Sequence, residues 1–247
     1  VVRLVGSEMC IRDRNKEIKL ITFDLDDTLW DNHPTIIKAE KKTRKWIERE
    51  VGKIEWGDLN DFLNLREDLI KDDKSIAWDI SKLRKEIFRR KLSHVTPEKY
   101  RDKIVNKAFE IFISERHDIE FFDGVKNAIK DLSKKYILGV LTNGNANIYR
   151  FDIGECFKFS ISSLEAKNSK PNRAHFDMAL TQVKDITFDN ILHIGDHQIN
   201  DIYAANTLGI DCLWFNINSE WEQKFEKPDE FSDWNKLLRI IENKYER

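Results

Sequence analysis

Apolar positions change their period twice along the chain. Ile18, Leu20, Ile21 and Phe23 form a short run that reads as a buried strand. Residues 34–116 switch to helical spacing. Ile36, Ala39, Thr43, Trp46 and Ile47 share one helical face, as do Leu59, Phe62, Leu63, Leu69 and Ile70. Ile80, Leu83, Ile87 and Phe88 mark a third stripe. A fourth is expected to open at Thr96-Pro97, as an N-cap followed by proline at the first helical position. It runs on through Tyr100, Ile104, Ala108, Ile111 and Phe112.

From residue 121 strand and helix patterns alternate. Val125, Ala128, Ile129 and Leu132 predict a helix, 137–141 a strand, 174–184 a helix and 191–194 a strand. A short helix over 200–208 and a strand over 211–215 follow. Ser232 is expected to cap a last helix with the face Trp234, Leu237, Leu238, Ile241 and Tyr245. Strands alternating with helices predict an α/β fold, a doubly wound parallel sheet. The helical stretch interrupts it after the first strand, as a four-helix insert. The expected division is core over 15–31 and 118–247, with an α-helical cap over 32–117. No internal repeat or low-complexity tract is visible.

Composition narrows the class. The 247 residues are 35 % charged with a formal net charge of -2, a balance that points to neither a nucleic-acid partner nor an acidic tail. No apolar run approaches the ~20 residues that span a bilayer. Cys10, Cys156 and Cys212 lack metal-ligand spacing and read as free thiols in a reducing compartment, so a cytoplasmic protein is expected. Residues 1–14 lack capping or periodic pattern, and Met9–Arg14 is similar to a translated transposon-end sequencing adaptor. That segment is expected to be non-native, with the natural start near Asn15 or missing.

Chemistry gathers at the predicted strand ends. The first strand runs into Asp24, Asp26 and Asp27, packed negative charge that is costly without a cation. A turn is one reading. A hard divalent cation beside a phosphate, most simply Mg²⁺, is the other. After 137–141 comes Thr142-Asn143-Gly144-Asn145, a turn able to aim a hydroxyl and backbone N–H groups at an anionic oxygen. Ser169-Lys170-Pro171 sets a lysine before the helix at 174–184. Gly195-Asp196, followed by Asn200-Asp201, closes the strand over 191–194, where Gly195 is expected to permit a sharp turn. Each alone could be turn, surface or cap.

Together, in this order, DLDDTLW, LTNG, SKP and GDHQIND resemble the four signature motifs of the haloacid dehalogenase-like hydrolase superfamily. The helical insert is similar to the cap of its subgroup I phosphatases. FDLDDTLWDNHPTI, LTNGNAN and the tryptophan at 211–215 resemble bacterial flavin mononucleotide (FMN) and 5-amino-6-(5-phosphoribitylamino)uracil phosphatases.

The resemblance implies roles. Asp24 would be the nucleophile that becomes a phosphoaspartate. Asp26 would be the general acid and base, with crowding by neighbouring carboxylates expected to help it carry a proton. Mg²⁺ would be held by Asp24, the Asp26 carbonyl and Asp196, with Asp201 behind or through water. Thr142 and the Asn143 N–H would hold phosphoryl oxygens, and Lys170 would stabilise the nucleophile. Asp26 favours phosphatase over dehalogenase, since a halide leaves without a proton. His197 reads as rim lining. In the cap, Arg84 could bind a second anionic or carbonyl group or form a surface ion pair; Asp79 belongs to the same pattern. Trp30, Asp31 and Asn32 are expected at the hinge and entrance wall, and Trp78 in cap core or stacked on a flavin.

The expected function is a Mg²⁺-dependent phosphomonoesterase acting on a small phosphorylated metabolite, from riboflavin biosynthesis or FMN itself. Alternatives are a house-cleaning nucleotide or sugar phosphatase and a non-enzymatic aspartyl-phosphate module. No nucleic-acid or membrane partner is expected, and oligomeric state is not legible.

Overall fold

The computed structural model describes residues 17–245; the segment 1–14, with Cys10, lies outside them. Strand β1 (Leu20–Phe23) is followed by four helices, α1 (Asn32–Val51), α2 (Leu59–Asp72), α3 (Ile80–Lys91) and α4 (Glu98–Arg116). The chain then alternates through α5 (Val125–Leu132), β2 (Ile137–Thr142), β3 (Phe159–Ser162), α6 (Ser163–Ala166) and α7 (Ala174–Gln182). It ends with β4 (Ile191–Gly195), a π-helical turn (Gln198–Tyr203), α8 (Ala204–Asn206), β5 (Asp211–Phe215), β6 (Glu230–Phe231) and α9 (Leu237–Tyr245).

The six strands pair in parallel in the order β3-β2-β1-β4-β5-β6. The doubly wound parallel sheet is as expected. β3 and β6 went unpredicted: β3 is only four residues with polar serines at alternate positions, and β6 only two. Chain order reverses at β1, so β1 lies between β2 and β4, the position where open α/β sheets bind ligands. Successive β1 side chains feed opposite faces: Ile21 and Phe23 pack with Val125, Ile129 and Trp234, and Leu20 with Phe176 and Ile202.

Three local expectations change. α4 starts at Glu98 after an extended Pro97 that makes no side-chain cap bond, so Thr96 is not its N-cap. The 3₁₀ turn leading into α9 is capped by Asp233, whose carboxylate accepts from Asn235 N at 3.0 Å, and not by Ser232. The α2 stripe is largely unburied: Leu59 is 70 % and Leu63 44 % exposed, and only Leu69 is fully covered. Tyr100 of α4 is likewise exposed. The insert holds its own clusters, one around Ile47, Phe88, Ile104 and Val105, a smaller one around Leu69, Ile76 and Leu83.

The two connections between insert and sheet are tied to each other. Trp30 forms an antiparallel bridge with Phe121, and Phe122 N donates to Leu29 O at 2.9 Å. The Trp30 ring is fully buried, in edge contact with Phe121 at 5.6 Å between centroids. It is therefore core, not an entrance wall. Asp31 caps α1 by accepting from His33 N. No helix among the described residues is long and apolar enough to cross a membrane.

Truncating a large buried ring leaves a cavity its neighbours cannot fill. Trp30→Ala is expected to cost about 3–5 kcal/mol of unfolding free energy, read from the urea midpoint.

Candidate active site

The parallel register sets the ends of β1, β2 and β4 side by side: Phe23 is level with Val140 and Ile194. Asp24, next along β1, donates its N–H to Ile194 O at 2.9 Å, which fixes its backbone against β4. Its carboxylate is buried and accepts from Lys170 Nζ at 2.8 Å. Lys170 also donates to Asp201 Oδ1 at 2.5 Å and to Leu141 O at 2.6 Å. The lysine thus lies under the strand ends, with no part in opening α7.

Asn143 explains how the lysine is aimed. Its Oδ1 accepts from Lys170 N at 2.7 Å and Ser163 Oγ at 3.0 Å, and its Nδ2 donates to Lys170 O. The side chain is a brace for the 169–171 loop. The Thr142 hydroxyl, buried at the end of β2, accepts from Gly144 N at 2.9 Å.

Asp201 is the most enclosed carboxylate. Besides Lys170, it accepts from His193 Nε2 at 3.1 Å and from His197 N at 3.0 Å. Burial lowers the His193 pKa, so the ring is neutral, and its single proton goes to the carboxylate, which can only accept. Nδ1 then accepts from Thr22 Oγ1 at 2.8 Å. Burial works to raise the Asp201 pKa, but Lys170 and the His193 bond outweigh it and hold it well down. Asp24 goes the other way: burial, with the charges of Asp201 and Asp196, raises it despite Lys170. Asp196, half-buried beside Asp201, is pushed up to about 7 by desolvation and the Asp201 charge, although Thr28 Oγ1 donates to it at 3.0 Å. Burial alone would lower Lys170; Asp201 and Asp24 reverse that and raise it.

Oxygens of Asp24, Asp196 and Asp201 lie within 4.8 Å of one another. Lys170 offsets part of that charge, yet two of the three carboxyls still resist ionisation. An all-oxygen cluster short of positive charge suits a hard divalent cation.

Asp26 departs from expectation. Its carboxylate stands apart from that cluster and meets a cation: Arg116 Nη2 lies 2.6 and 2.5 Å from its two oxygens, and Trp30 Nε1 donates to Oδ1 at 3.1 Å. Arg116, in the last turn of α4, lay outside every motif. It follows Phe112 by four positions and continues the buried face of the helix, so a charged residue at a core-facing position was the one local signal that could have marked it. Thr28 and His193 were also missed, although both sit inside or beside signature stretches.

The glycines act by proximity. A Cβ on Gly195 would come within 2.4 Å of Asp201 Cγ, and one on Gly144 within 2.6 Å of Asp26 Oδ2. Neither position has the positive φ expected of a sharp turn.

A cavity of about 220 Å³ opens between insert and sheet, lined by Asp26, Asn32, Arg116 and Asn145 at one end and by Ile36, Leu83 and Phe112 beyond. Arg84 faces it, lying 3.5 Å over the Phe112 ring and paired with Glu40; burial lowers its pKa to about 10. Asp79 is instead the N-cap of α3, accepting from Lys82 N at 2.8 Å. Trp78 is half-buried beside it. His197 caps the π-helical turn through Nδ1. A larger surface groove from His117 to Asp152 holds none of the strand-end carboxylates.

Because the folded Asp196 pKa of about 7 lies above its unfolded value near ~3.9, the folded protein binds more protons across that interval. Stability from this group is therefore present at low pH and lost as pH rises through the folded pKa. Buried His175 and His193 oppose this from above pH 7, because their unfolded forms take up protons first, so the contribution is read as a difference. From pH 8 to about 6.5 the metal-free melting temperature should rise on acidification relative to that of Asp196→Asn, which keeps both histidines. Millimolar Mg²⁺ should raise the wild-type midpoint most at the alkaline end. A slope unchanged in the variant would exclude this carboxyl as its source.

The haloacid dehalogenase-like hydrolase family model matches residues 21–215. The 5-amino-6-(5-phospho-D-ribitylamino)uracil phosphatase YigB of Escherichia coli is 27 % identical over 230 residues, 91 % of this chain and 96 % of that protein. A glyceraldehyde 3-phosphate phosphatase of Pyrococcus abyssi is 28 % identical over 92 % of this chain and 94 % of its own length. The crystal structure of a 2-haloacid dehalogenase from Pseudomonas syringae superposes with a TM-score of 0.85 at 30 % identity, covering 92 % of this chain and 99 % of that one. With its sheet order, its strand-end carboxylates and these matches, the chain belongs to the haloacid dehalogenase-like hydrolases.

Proposed function

We propose that the protein is a Mg²⁺-dependent phosphomonoesterase working through an aspartyl-phosphate on Asp24. The observation that carries the reading is the buried Asp24 carboxylate at the chain reversal of the sheet, paired with Lys170, with a second carboxylate two residues on facing the cavity under the insert. In the first half-reaction an Asp24 oxygen bonds to phosphorus as the ester P–O bond breaks, and Asp26 gives its proton to the leaving oxygen. In the second, Asp26 takes a proton from water, whose oxygen bonds to phosphorus and frees Asp24.

Lys170 aligns Asp24 and opposes the burial that raises its pKa, while Thr142 and the Asn143 N–H are assigned to phosphoryl oxygens. Mg²⁺ would sit with Asp24, Asp196 and the Asp26 carbonyl, with Asp201 behind, and would offset repulsion between two anions. The insert serves as a cap over the leaving group, with Arg84 as its polar contact.

The substrate proposed is a small phosphorylated metabolite, with the ribitylamino-uracil phosphate named for the Escherichia coli relative first, then FMN. The Pyrococcus relative supports a second candidate, glyceraldehyde 3-phosphate. The Pseudomonas similarity supports a dehalogenase reading, against which Asp26 stands, since halide departure needs no proton.

The test is phosphate release with Mg²⁺ from these three esters, nucleotides and sugar phosphates, with 2-chloropropionate as the dehalogenase arm. Wild type should release phosphate and Asp24→Asn should fall to background. Chelation should abolish turnover and Mg²⁺ restore it. Chloride release without phosphate release would overturn the proposal. So would a long-lived phosphoaspartate with no turnover.

A further inference from the structure

Arg116 closes α4, where the insert returns to the sheet, and its side chain is only 2 % exposed. An arginine taken out of water is costly unless its charge and donors are matched. Here all three nitrogens are engaged. Nη2 bridges both oxygens of Asp26, Nη1 donates to Asn32 Oδ1 at 3.3 Å, and Nε donates to Asn145 Oδ1 at 3.1 Å. Those partners come from three places: the strand-end turn, the first residue of α1, and the loop after β2. Asn145 in turn donates to Ser81 Oγ on α3 at 3.1 Å.

The Asp26 carboxyl is thereby fixed from several directions. Arg116 holds both oxygens, Trp30 Nε1 holds one, and the bare Cα of Gly144 packs against the other. Matched donors are what any buried ion pair requires. This carboxyl also lines the cavity under the insert, and one that must serve two oxygens in turn, the leaving oxygen and then the attacking water, has to be held in place there, because small misplacements cost large factors in rate.

We propose that Arg116 is a positioning residue for Asp26. It aims the carboxyl into the cavity and ties that aim to the seating of the insert, since Arg116 and Asn32 are the residues at its two roots. The assignment rests on the phosphomonoesterase reading. Arg116 acts through Asp26 on the proton-transfer part of each half-reaction, and leaves attack by Asp24 to other groups.

Leaving groups separate this role from a merely structural one. p-Nitrophenolate departs without a proton, whereas the alkoxide of an alkyl phosphate does not. kcat and KM would be measured for wild type, Arg116→Met, Arg116→Lys, Asp26→Asn and the Asp26→Asn/Arg116→Met pair. The esters would be p-nitrophenyl phosphate and the best alkyl phosphate of the panel above. Positioned general acid–base catalysis is worth ~10²–10⁴, so Arg116→Met should lower kcat/KM, which reports only the half-reaction in which the leaving group departs, about 100-fold on the alkyl ester and less than about 5-fold on the aryl ester. Arg116→Lys should recover part of the alkyl activity, and the double variant should be little worse than Asp26→Asn alone.

Equal losses of kcat/KM on both esters would overturn the assignment. So would a loss confined to KM, or effects of the two substitutions that multiply. If Arg116→Met does not fold, Asn145→Ala, which removes one brace of the guanidinium, should show the same split in smaller measure, and an even loss there is equally decisive. Wild type that cleaves neither ester sinks the phosphomonoesterase reading and this assignment with it. An active wild type with a split for Asp26→Asn but none for Arg116→Met sinks this assignment alone.

Discussion

The Lys170 ammonium, 1 % exposed, sits between the carboxylates of Asp24 and Asp201 and also reaches the carbonyl of Leu141. Each of these groups would be expensive in isolation at that depth. Together they are mutually matched, and the match requires that the ends of β1, β2 and β4 and the 169–171 loop stay in register. Asn143 holds that loop, and His193 and the N–H of His197 hold Asp201. The polar site is therefore not added to a finished core. Its charges need the sheet for their geometry, and one cation among three acidic groups leaves the cluster short of positive charge.

Much of this was legible in the sequence, for identifiable reasons. The sheet strands that were found are short apolar runs ending in chemistry-bearing turns, so pattern and motif reinforce each other at Asp24, Thr142 and Asp196. β3 was missed because Ser160 and Ser162 break its apolar pattern, and β6 because two residues carry no period. On α2 the helical spacing was read correctly but its partner was not. Periodicity predicts which residues share a face, and not whether another element covers it, so Leu59 and Leu63 are left in solvent.

The site shows the same division. Residues within signature stretches came together, as Asp24, Asp196, Asp201 and Lys170 do. What escaped was everything set by contact across the fold. Arg116 meets Asp26 from 90 positions away in sequence. The expected crowding of Asp26 by carboxylates gave way to that guanidinium. Likewise Gly144 and Gly195 look like turn residues in sequence, but they are needed because a carboxylate occupies the space a methyl group would take.

The bridge between Trp30 and Phe121 brings the two connections of the helical insert together at a single point on the sheet. Closing a loop has an entropic cost that grows only logarithmically with its length. With its ends already joined at that bridge, the segment between them can lengthen, shorten or be replaced with little effect on the strands below. The fold is in this sense a fixed socket with an exchangeable fitting. Variation in what the socket accepts can then accumulate in the fitting, so long as Asn32 and Arg116 at its two roots keep their hold on Asp26.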